Sequence, residues 1–504
     1  MRLPLLLAQS QALPPLTQPT IIAVALAYFA AVAAIGVWAA RRTRTTRDFF
    51  VAGEGVGLWA LALAAMAATL SGFAFIGGPG LVYASGVGAV FLVLPASITN
   101  TMGAWVLAKR MRLLAEVRGL ITVPDAIGAR YRSRLAQGLA GIAILVGTIG
   151  YTATNYLALG LVIDAVFGTG LTLGIWAGMA IVLAYSATGG ILAGIYTDML
   201  QGGLMALASG LVFLFVLRSG DGMAGLSRAV LEADPAWLGP WGTLTPMAAL
   251  SLFFVFGIGS LGQPHVVHKF YMIRDPRRLR WYPLLMTLAL MIALLLYFGV
   301  GFAVKALVAR GELAPLARPD DATPIFLLHH TPVLLAALVF SGVAAAIMST
   351  VNSFLNIGAA VITHDLPASL GRRLANGLTW GRLATVTVSV LAALLAQLSG
   401  TLVALLGIFG WGLFASTLVP ALAIGLNWPG ATRAGAIASI GTGLVITLAL
   451  ETLAFFRLVT VPTGVTVSGL ALVASLAVFF LVSWMTARGA SAGLDPDIRL
   501  VMEV

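Results

Sequence analysis

Long apolar stretches, separated by short charged or Gly/Pro-rich breaks, run the length of the chain. About 20 apolar residues wind into a helix that can cross a bilayer. By that measure the pattern predicts thirteen membrane helices, at 20–40, 56–82, 84–108, 134–166, 170–187, 190–217, 246–273, 281–309, 333–364, 378–397, 402–425, 432–453 and 463–486. Two of them carry polar and helix-loosening residues in mid-span. In 56–82, Thr69, Ser71 and Gly72 sit centrally and Gly77-Gly78-Pro79-Gly80 follows. In 246–273, Gly257, Gly259, Ser260, Gly262, Gln263, Pro264 and His265 crowd together. Glycine and proline loosen the helix, and hydroxyl, amide and imidazole groups offer partners to the freed backbone. Kinks of this kind also serve packing alone. Their matched placement points further: five helices begin with each broken segment, so the two halves run in opposite senses. That is the mark of an inverted-repeat transporter, whose sites lie at discontinuous helices near the midplane.

Composition sharpens the class. Of 504 residues, 60% are hydrophobic and 9% charged, against about 25% charged in soluble domains. A water-soluble enzyme, a disordered protein and a nucleic-acid-binding domain are excluded. The formal charge is +11, from 29 Lys+Arg against 18 Asp+Glu. Topology accounts for it. With residue 1 outside, the loops 41–55, 109–133, 188–189, 274–280, 365–377 and 426–431 and the tail from 487 face the cytoplasm. These regions and their helix ends hold every Lys and Arg except Arg2, Arg218, Arg228, Lys305, Arg310, Arg318 and Arg457. Basic residues collect on the cytoplasmic side, so the N-terminus is expected outside and the C-terminus inside, with no nucleic-acid partner needed. The expected plan is an external tail at 1–19, an extra helix and cytoplasmic loop at 20–55, a first five-helix repeat at 56–218 and an external loop at 219–245. A second, inverted five-helix repeat at 246–425, two C-terminal helices at 426–486 and a cytoplasmic tail at 487–504 complete it. That tail is too short for an output domain. Cysteine is absent, which removes disulfides, thiolate metal sites and a cysteine nucleophile.

Candidate chemistry is sparse. In SGVAAAIMSTVNS (341–353), Ala346, Ser349, Thr350 and Ser353 fall at i, i+3, i+4 and i+7 on one helix face. Two hydroxyls beside a backbone carbonyl suit a partly dehydrated Na⁺; the same hydroxyls can instead bond the carbonyl four residues back. Asp198 is the best intramembrane carboxylate, and either binds a cation or caps its helix. His265 is expected to make a structural hydrogen bond, with His268 and Lys269 near the inner surface. GEGVG at 53–57 lacks the Lys-Ser/Thr of a P-loop. No His/Asp/Glu cluster has metal-ligand spacing, so no transition metal is expected, and His329-His330 falls in an external loop.

Four stretches then resemble the sodium:solute symporter family, which includes sodium/proline, sodium/galactose, sialic acid, pantothenate and acetate carriers. They are ATLSGFAFIGGPGLVYASG at 68–86, YSATGGILAGIYTDMLQ at 185–201, GQPHVVHKF at 262–270 and AAAIMSTVNSFLNIGAAVITHDL at 344–366. The resemblance covers roughly 20–486. It implies an all-α polytopic fold of the leucine-transporter type, five plus five inverted helices with one extra before and two after. It implies Na⁺-coupled symport of a small polar organic solute (an amino acid, carboxylate, sugar or vitamin) across a plasma membrane, with no cofactor beyond the coupling ion. The family's sodium site falls on the carbonyls of Ala67, Leu70 and Ala346 and the hydroxyls of Ser349 and Thr350. A second cation, found in some members, falls near Asp198, Ser349, Asn352 and Ser353, with Asn352 standing where a serine is expected. The solute cavity falls on Thr69, Ser71, Phe73, Tyr151, Asn155, Phe256, Ser260 and Gln263, and a gate on Phe409 and Trp411. Proline carriers have a carboxylate at the Thr69 position, tryptophan at Phe73 and Phe256, and tyrosine at Ser260; these departures argue against proline. Rival readings are a transporter-fold sensor, an H⁺-coupled carrier, a channel, and a membrane-embedded enzyme using His265 and Asp198.

Overall fold

A computed structural model describes residues 19–41, 57–69, 71–273, 275–372, 374, 377–399, 403–461, 464–487 and 494–503. Helices make the architecture: α1 Pro19–Ala40, α2 Leu58–Thr69, α3 Gly78–Ser85, α4 Val90–Gly103, α5 Lys109–Arg118, α6 Val123–Tyr131, α7 Arg134–Phe167, α8 Leu171–Arg218, α9 Gly222–Ala233, α10 Pro246–Gly259, α11 Pro264–Val267, α12 Tyr282–Ala309, α13 Ala322–His330, α14 Val333–Ala360, α15 Gly377–Ser399, α16 Val403–Leu418, α17 Arg433–Phe455, α18 Val467–Met485 and α19 Pro496–Met502. Among the described residues, ten helical segments are long and apolar enough to cross a membrane. The expected count of thirteen also includes the helix Pro19–Ala40 and the first arm of the helix that starts at Leu171, and divides the chain differently around the first broken helix.

Both expected interruptions are present. Helix α2 ends at Thr69, Ser71 is non-helical, and a π-turn at Phe73–Gly77 leads into α3; Leu70 lies outside the described residues. Helix α10 ends at Gly259, a 3₁₀ turn spans Ser260–Gly262, and Gln263 is extended at φ −70°, ψ 108° before α11. Proline at 264 disfavours helix for the residue before it, so this second break is encoded locally.

The turn expected at 188–189 is helical in its hydrogen bonding, because α8 is assigned without a gap over 48 residues. Thr188 and Gly189 remove no N–H, and glycine alone weakens a helix without stopping it. The two arms still reach the same part of α14. Ile181 shares a cavity wall with Phe340 and Ser341, and Leu204 lies against Gly342. A straight helix would separate Ile181 from Leu204 by roughly 34 Å, so the chain bends back between them.

Helices α14 and α16 are the most enclosed. Helix α14 is rich in small residues (Gly342, Ala344, Ala345, Ala346, Ser349), which let neighbouring backbones approach, and it packs against α2, α7, α8, α11 and α15. The loop 234–242 folds over the start of α4. There Gly86 has φ +76°, and a methyl at its Cα would fall 2.3 Å from the Trp237 carbonyl oxygen. On the opposite side of the bundle α19 docks on α5. Asp495 pairs with Arg118 and, at 3.1 Å, with Arg132; Asp497 pairs with Arg118 at 2.8 Å. The N-terminal tail 1–18 lies outside the described residues.

Candidate functional site

The first break frees backbone groups in the membrane interior, and they find partners both within the break and on other elements. Gly72 N donates to Asn155 Oδ1 at 3.0 Å, and Phe73 N donates to Ser71 Oγ at 3.2 Å. Ser71 Oγ lies 3.1 Å from the Tyr151 hydroxyl. Pro79 has no N–H to offer the Phe75 carbonyl, which accepts instead from Thr323 Oγ1 at 2.7 Å. Asn155 is itself anchored through Nδ2 to Tyr151 O at 2.8 Å. Helix α7 thus holds the open turn from the side.

The second break faces α16. Ser260 Oγ donates to Phe256 O at 2.8 Å, and Gln263 Nε2 donates to Gly259 O at 3.0 Å and Trp411 O at 3.4 Å. A methyl at Gly259 would lie 2.8 Å from Ala415 Cβ and 2.9 Å from Trp411 Nε1, so only glycine allows this approach. The rings of Phe73, Phe256 and Trp411 stack in series, with centroids 5.7 and 5.2 Å apart. Tyr151 lies 6.3 Å from Trp411 and 5.1 Å from Phe354, and His265 lies 4.5 Å from Phe354.

Several buried polar atoms around these rings have no hydrogen-bond partner: Gln263 Oε1, Trp411 Nε1, both ring nitrogens of His265, and the hydroxyls of Thr148 and Thr152. An unsatisfied buried polar group costs about 1–3 kcal/mol. Where they lie on the two broken helices and their neighbours, such groups suit a polar ligand. The expected structural hydrogen bond of His265 is not made; its ring lies against Tyr151 and Phe354, and neither nitrogen has a hydrogen-bond partner.

The α14 stripe is wholly buried, and α2, which carries Ala67, packs against it. Thr350 Oγ1 bonds Ala346 O at 3.1 Å, while Ser349 Oγ has no partner. One hydroxyl thus makes the back-bond available to any threonine in a helix, and the other stands unused. The second expected cation position is different. Lys269 was expected at the inner surface, yet it is buried, and its Nζ donates to Asp198 Oδ2 at 2.7 Å and to Ala64 O at 3.0 Å. A chain ammonium already neutralises the carboxylate. Asp198 Oδ1 remains without a partner. Asn352 and Ser353 are buried nearby in sequence on α14, with Asn352 accepting from Asn356 Nδ2.

Of the expected solute residues, Ser71, Phe73, Tyr151, Asn155, Phe256, Ser260 and Gln263 converge on the two breaks. The Thr69 side chain lies outside the described ones. Of the two gate residues, Trp411 joins the aromatic stack, whereas Phe409 packs on α7 at Gly150, where a methyl would meet its ring at 2.6 Å. Phe354 and Lys269, and Trp411 as part of the ring stack, were not singled out for these positions; each is brought there from a helix distant in sequence. No His/Asp/Glu run in the sequence has metal-ligand spacing, but the fold brings three such residues together. Asp125, His364 and Asp365 bring ligand atoms within 4.8 Å of one another, and spacing could not show it because Asp125 and His364 are 239 positions apart.

Residues 49–443 match the model of the sodium:solute symporter family. The osmoregulated proline transporter OpuE of Bacillus subtilis is 29% identical over 482 residues, covering 92% of this chain and 94% of that one. The high-affinity proline transporter PutP of the same organism is 29% identical, covering 92% and 97%. Sodium/proline symporter 2 of Staphylococcus saprophyticus is 28% identical, covering 84% of each. Among solved structures, the substrate-bound outward-open state of a Na⁺-coupled sialic acid symporter superposes with a TM-score of 0.75 at 19% identity, covering 92% of this chain and 98% of that chain. A nucleobase-cation-symport-1 family transporter in a closed conformation gives 0.55 at 13% identity, covering 91% and 99%.

Proposed function

Because the chain belongs to the sodium:solute symporter family, and is thus a transporter rather than an enzyme, we propose that it carries a small polar organic solute into the cell with Na⁺ by alternating access, on a five-plus-five inverted repeat. The carrying observation is the pair of helix interruptions, at Ser71 and Gln263, beside a buried α14 stripe whose Ser349 hydroxyl has no partner. Carbonyls of Ala67, Leu70 and Ala346 and the hydroxyls of Ser349 and Thr350 take the ion. Thr350 exchanges its bond to Ala346 O for the ion, so both oxygens become ligands. Ion and solute each favour the same outward-open state, and that shared preference is what couples them.

The solute lies between the aromatic stack and the polar edge made by Ser71, Asn155, Ser260 and Gln263. The apolar ring faces shield its body and the edge fixes its polar groups. Among the described residues no Lys or Arg lines this cavity, so a carboxylate on the solute is received by the N-terminal end of a broken helix. The names of the relatives put proline first among solutes to test, while Phe73, Phe256 and Ser260 give the cavity walls unlike those of the proline carriers. Asp198 is held by Lys269, which favours one Na⁺ per cycle. The N-terminus faces outward and the C-terminus lies in the cytoplasm, where the basic loops collect.

The test is solute uptake into proteoliposomes against external Na⁺, with proline first in a panel of amino acids, carboxylates and sugars. Ser349→Ala and Thr350→Ala are each expected to raise the half-saturating Na⁺ concentration by about tenfold, the equivalent of roughly 1.4 kcal/mol for a lost ligand. Unchanged Na⁺ dependence in both variants rejects the site. Uptake driven by a proton gradient without Na⁺ supports the H⁺-coupled alternative.

A further inference from the structure

A second polar cluster lies apart from the transport cavity, where α6 meets the end of α14. Thr122 caps α6 and Asp125 sits in its first turn. From α14 the chain continues through a π-turn, Val361–Asp365, which brings His364 and Asp365 alongside. His364 Nε2 lies 3.1 and 3.0 Å from the two oxygens of Asp125. Asp125 is further fixed by Gln137 Nε2 at 2.9 Å and Ile121 N at 3.3 Å. Asp365 Oδ1 accepts from Thr122 Oγ1 at 2.6 Å, but Asp365 Oδ2 has no partner although the residue is fully buried.

Geometry and charge both ask for a cation. The ligand atoms of Asp125, His364 and Asp365 lie within 4.8 Å of one another, and the His364–Asp125 hydrogen bond need open only slightly to reach the roughly 3.3 Å between ligands held at about 2.0–2.2 Å in a tetrahedron. Two carboxylates share the cluster, and neither pairs with a lysine or arginine among the described residues. Thr122, Gln137, Tyr271 and His268 supply polar groups beside them, and Val123, Pro124, Ile144, Ile357 and Val361 close the rest of the wall around Asp365. Tyr271 donates to Thr122 O, and His268 Nε2 bonds Ile121 O. The His364 side chain is 38% exposed and that of Asp125 12%, so the cluster can be reached from solvent on the His364 side.

We propose that Asp125, His364 and Asp365 form a binding site for a divalent transition-metal ion of the Zn²⁺ type. Imidazole plus carboxylate suits such an ion better than Mg²⁺, which prefers all-oxygen octahedral surroundings. The ion joins α6 to the end of the helix that carries Ser349 and Thr350, and so restrains that end of α14. Binding of the metal can be measured without solute, Na⁺ or transport, so its failure is distinct from failure of the symport reading.

The experiment titrates full-length, chelator-treated protein in detergent with ZnCl₂ and, separately, MgCl₂, by calorimetry and thermal shift. Wild type is expected to bind about one Zn²⁺ per chain and to melt higher with it, with no response to Mg²⁺. Loss of even an outer-shell partner weakens metal affinity about 10–100-fold, so His364→Gln and Asp365→Asn are each expected to weaken Zn²⁺ at least tenfold. X-ray absorption of the wild-type Zn²⁺ complex needs no variant, and should show a single imidazole among oxygen ligands. Absence of Zn²⁺ binding by folded wild type overturns the site. So does unchanged binding in folded His364→Gln, or a spectrum with no imidazole among the ligands.

Discussion

The Lys269–Asp198 pair shows how much one residue contact can decide. Both side chains are buried, 4% and 1% exposed, in a region the lipid keeps dry. Taking both charges out of water costs about as much as their attraction returns, but removing one partner strands the other at about 3–5 kcal/mol. Lys269→Met is therefore expected to destabilise the protein by that amount. Asp198→Asn in the same background should recover most of it, because no uncompensated charge remains. Thermal unfolding of the two single variants and the double variant, read as a cycle, checks this. Additive effects would mean that the pair is not an interacting unit. The same pair was invisible to sequence reading. Asp198 and Lys269 are 71 positions apart, on helices whose mutual rotation a hydrophobic run does not specify. A uniformly apolar helix gives no face to orient, so a lysine near its end reads as an interfacial residue.

At the scale of elements, the interruptions were legible because they are written locally. Gln263 precedes a proline and is forced extended; Ser71 stands among glycines and hydroxyls. Where the signal was only Thr188-Gly189, helical hydrogen bonding runs on through the expected turn while the chain still bends back between Ile181 and Leu204. Which residues satisfy the freed groups was not legible in the pattern of the break itself, since Asn155 and Thr323 come from other helices. An analogous cross-element cap supports α16. Asp320 Oδ2 accepts from Val403 N at 2.8 Å, at the first residue of that helix, while Asp320 Oδ1 has no partner. Burial pushes the Asp320 carboxyl up from the ordinary 3.8 to about 6. The folded state then holds its proton more tightly than the unfolded chain. Stability from this group is present in full below pH 4 and falls as pH rises through 6, by about 3 kcal/mol. Asp320→Asn keeps the acceptor for Val403 N and removes the ionisation. It should flatten that fall in melting temperature between about pH 4.5 and 7.5, whereas an equal slope in both proteins would assign the pH dependence elsewhere.

The whole molecule poses a question of orientation that its charges answer. Arg118, Arg132, Asp495 and Asp497 meet on one side, where α19 docks on α5. Lys305 and Asp234 pair at 2.9 Å beside the loop that covers the start of α4. If basic loops remain in the cytoplasm, the first group faces inward and the second outward. The chain contains no cysteine, so single thiols can be placed on an unreactive background. Glu116, Glu232 and Glu503 are all exposed, and α9, which carries Glu232, precedes the loop with Asp234. In intact cells a membrane-impermeant maleimide is expected to modify Glu232→Cys and to spare Glu116→Cys and Glu503→Cys until the membrane is opened. The reverse pattern would invert the molecule, and with it the direction in which Ser349 and Thr350 meet sodium. Labelling of all three in sealed cells would mean that Glu116 and Glu503 do not share a sealed side, and the charge argument would lose its premise. Transport direction, ion access and the side from which a metal reaches Asp125 and His364 all follow from this one assignment.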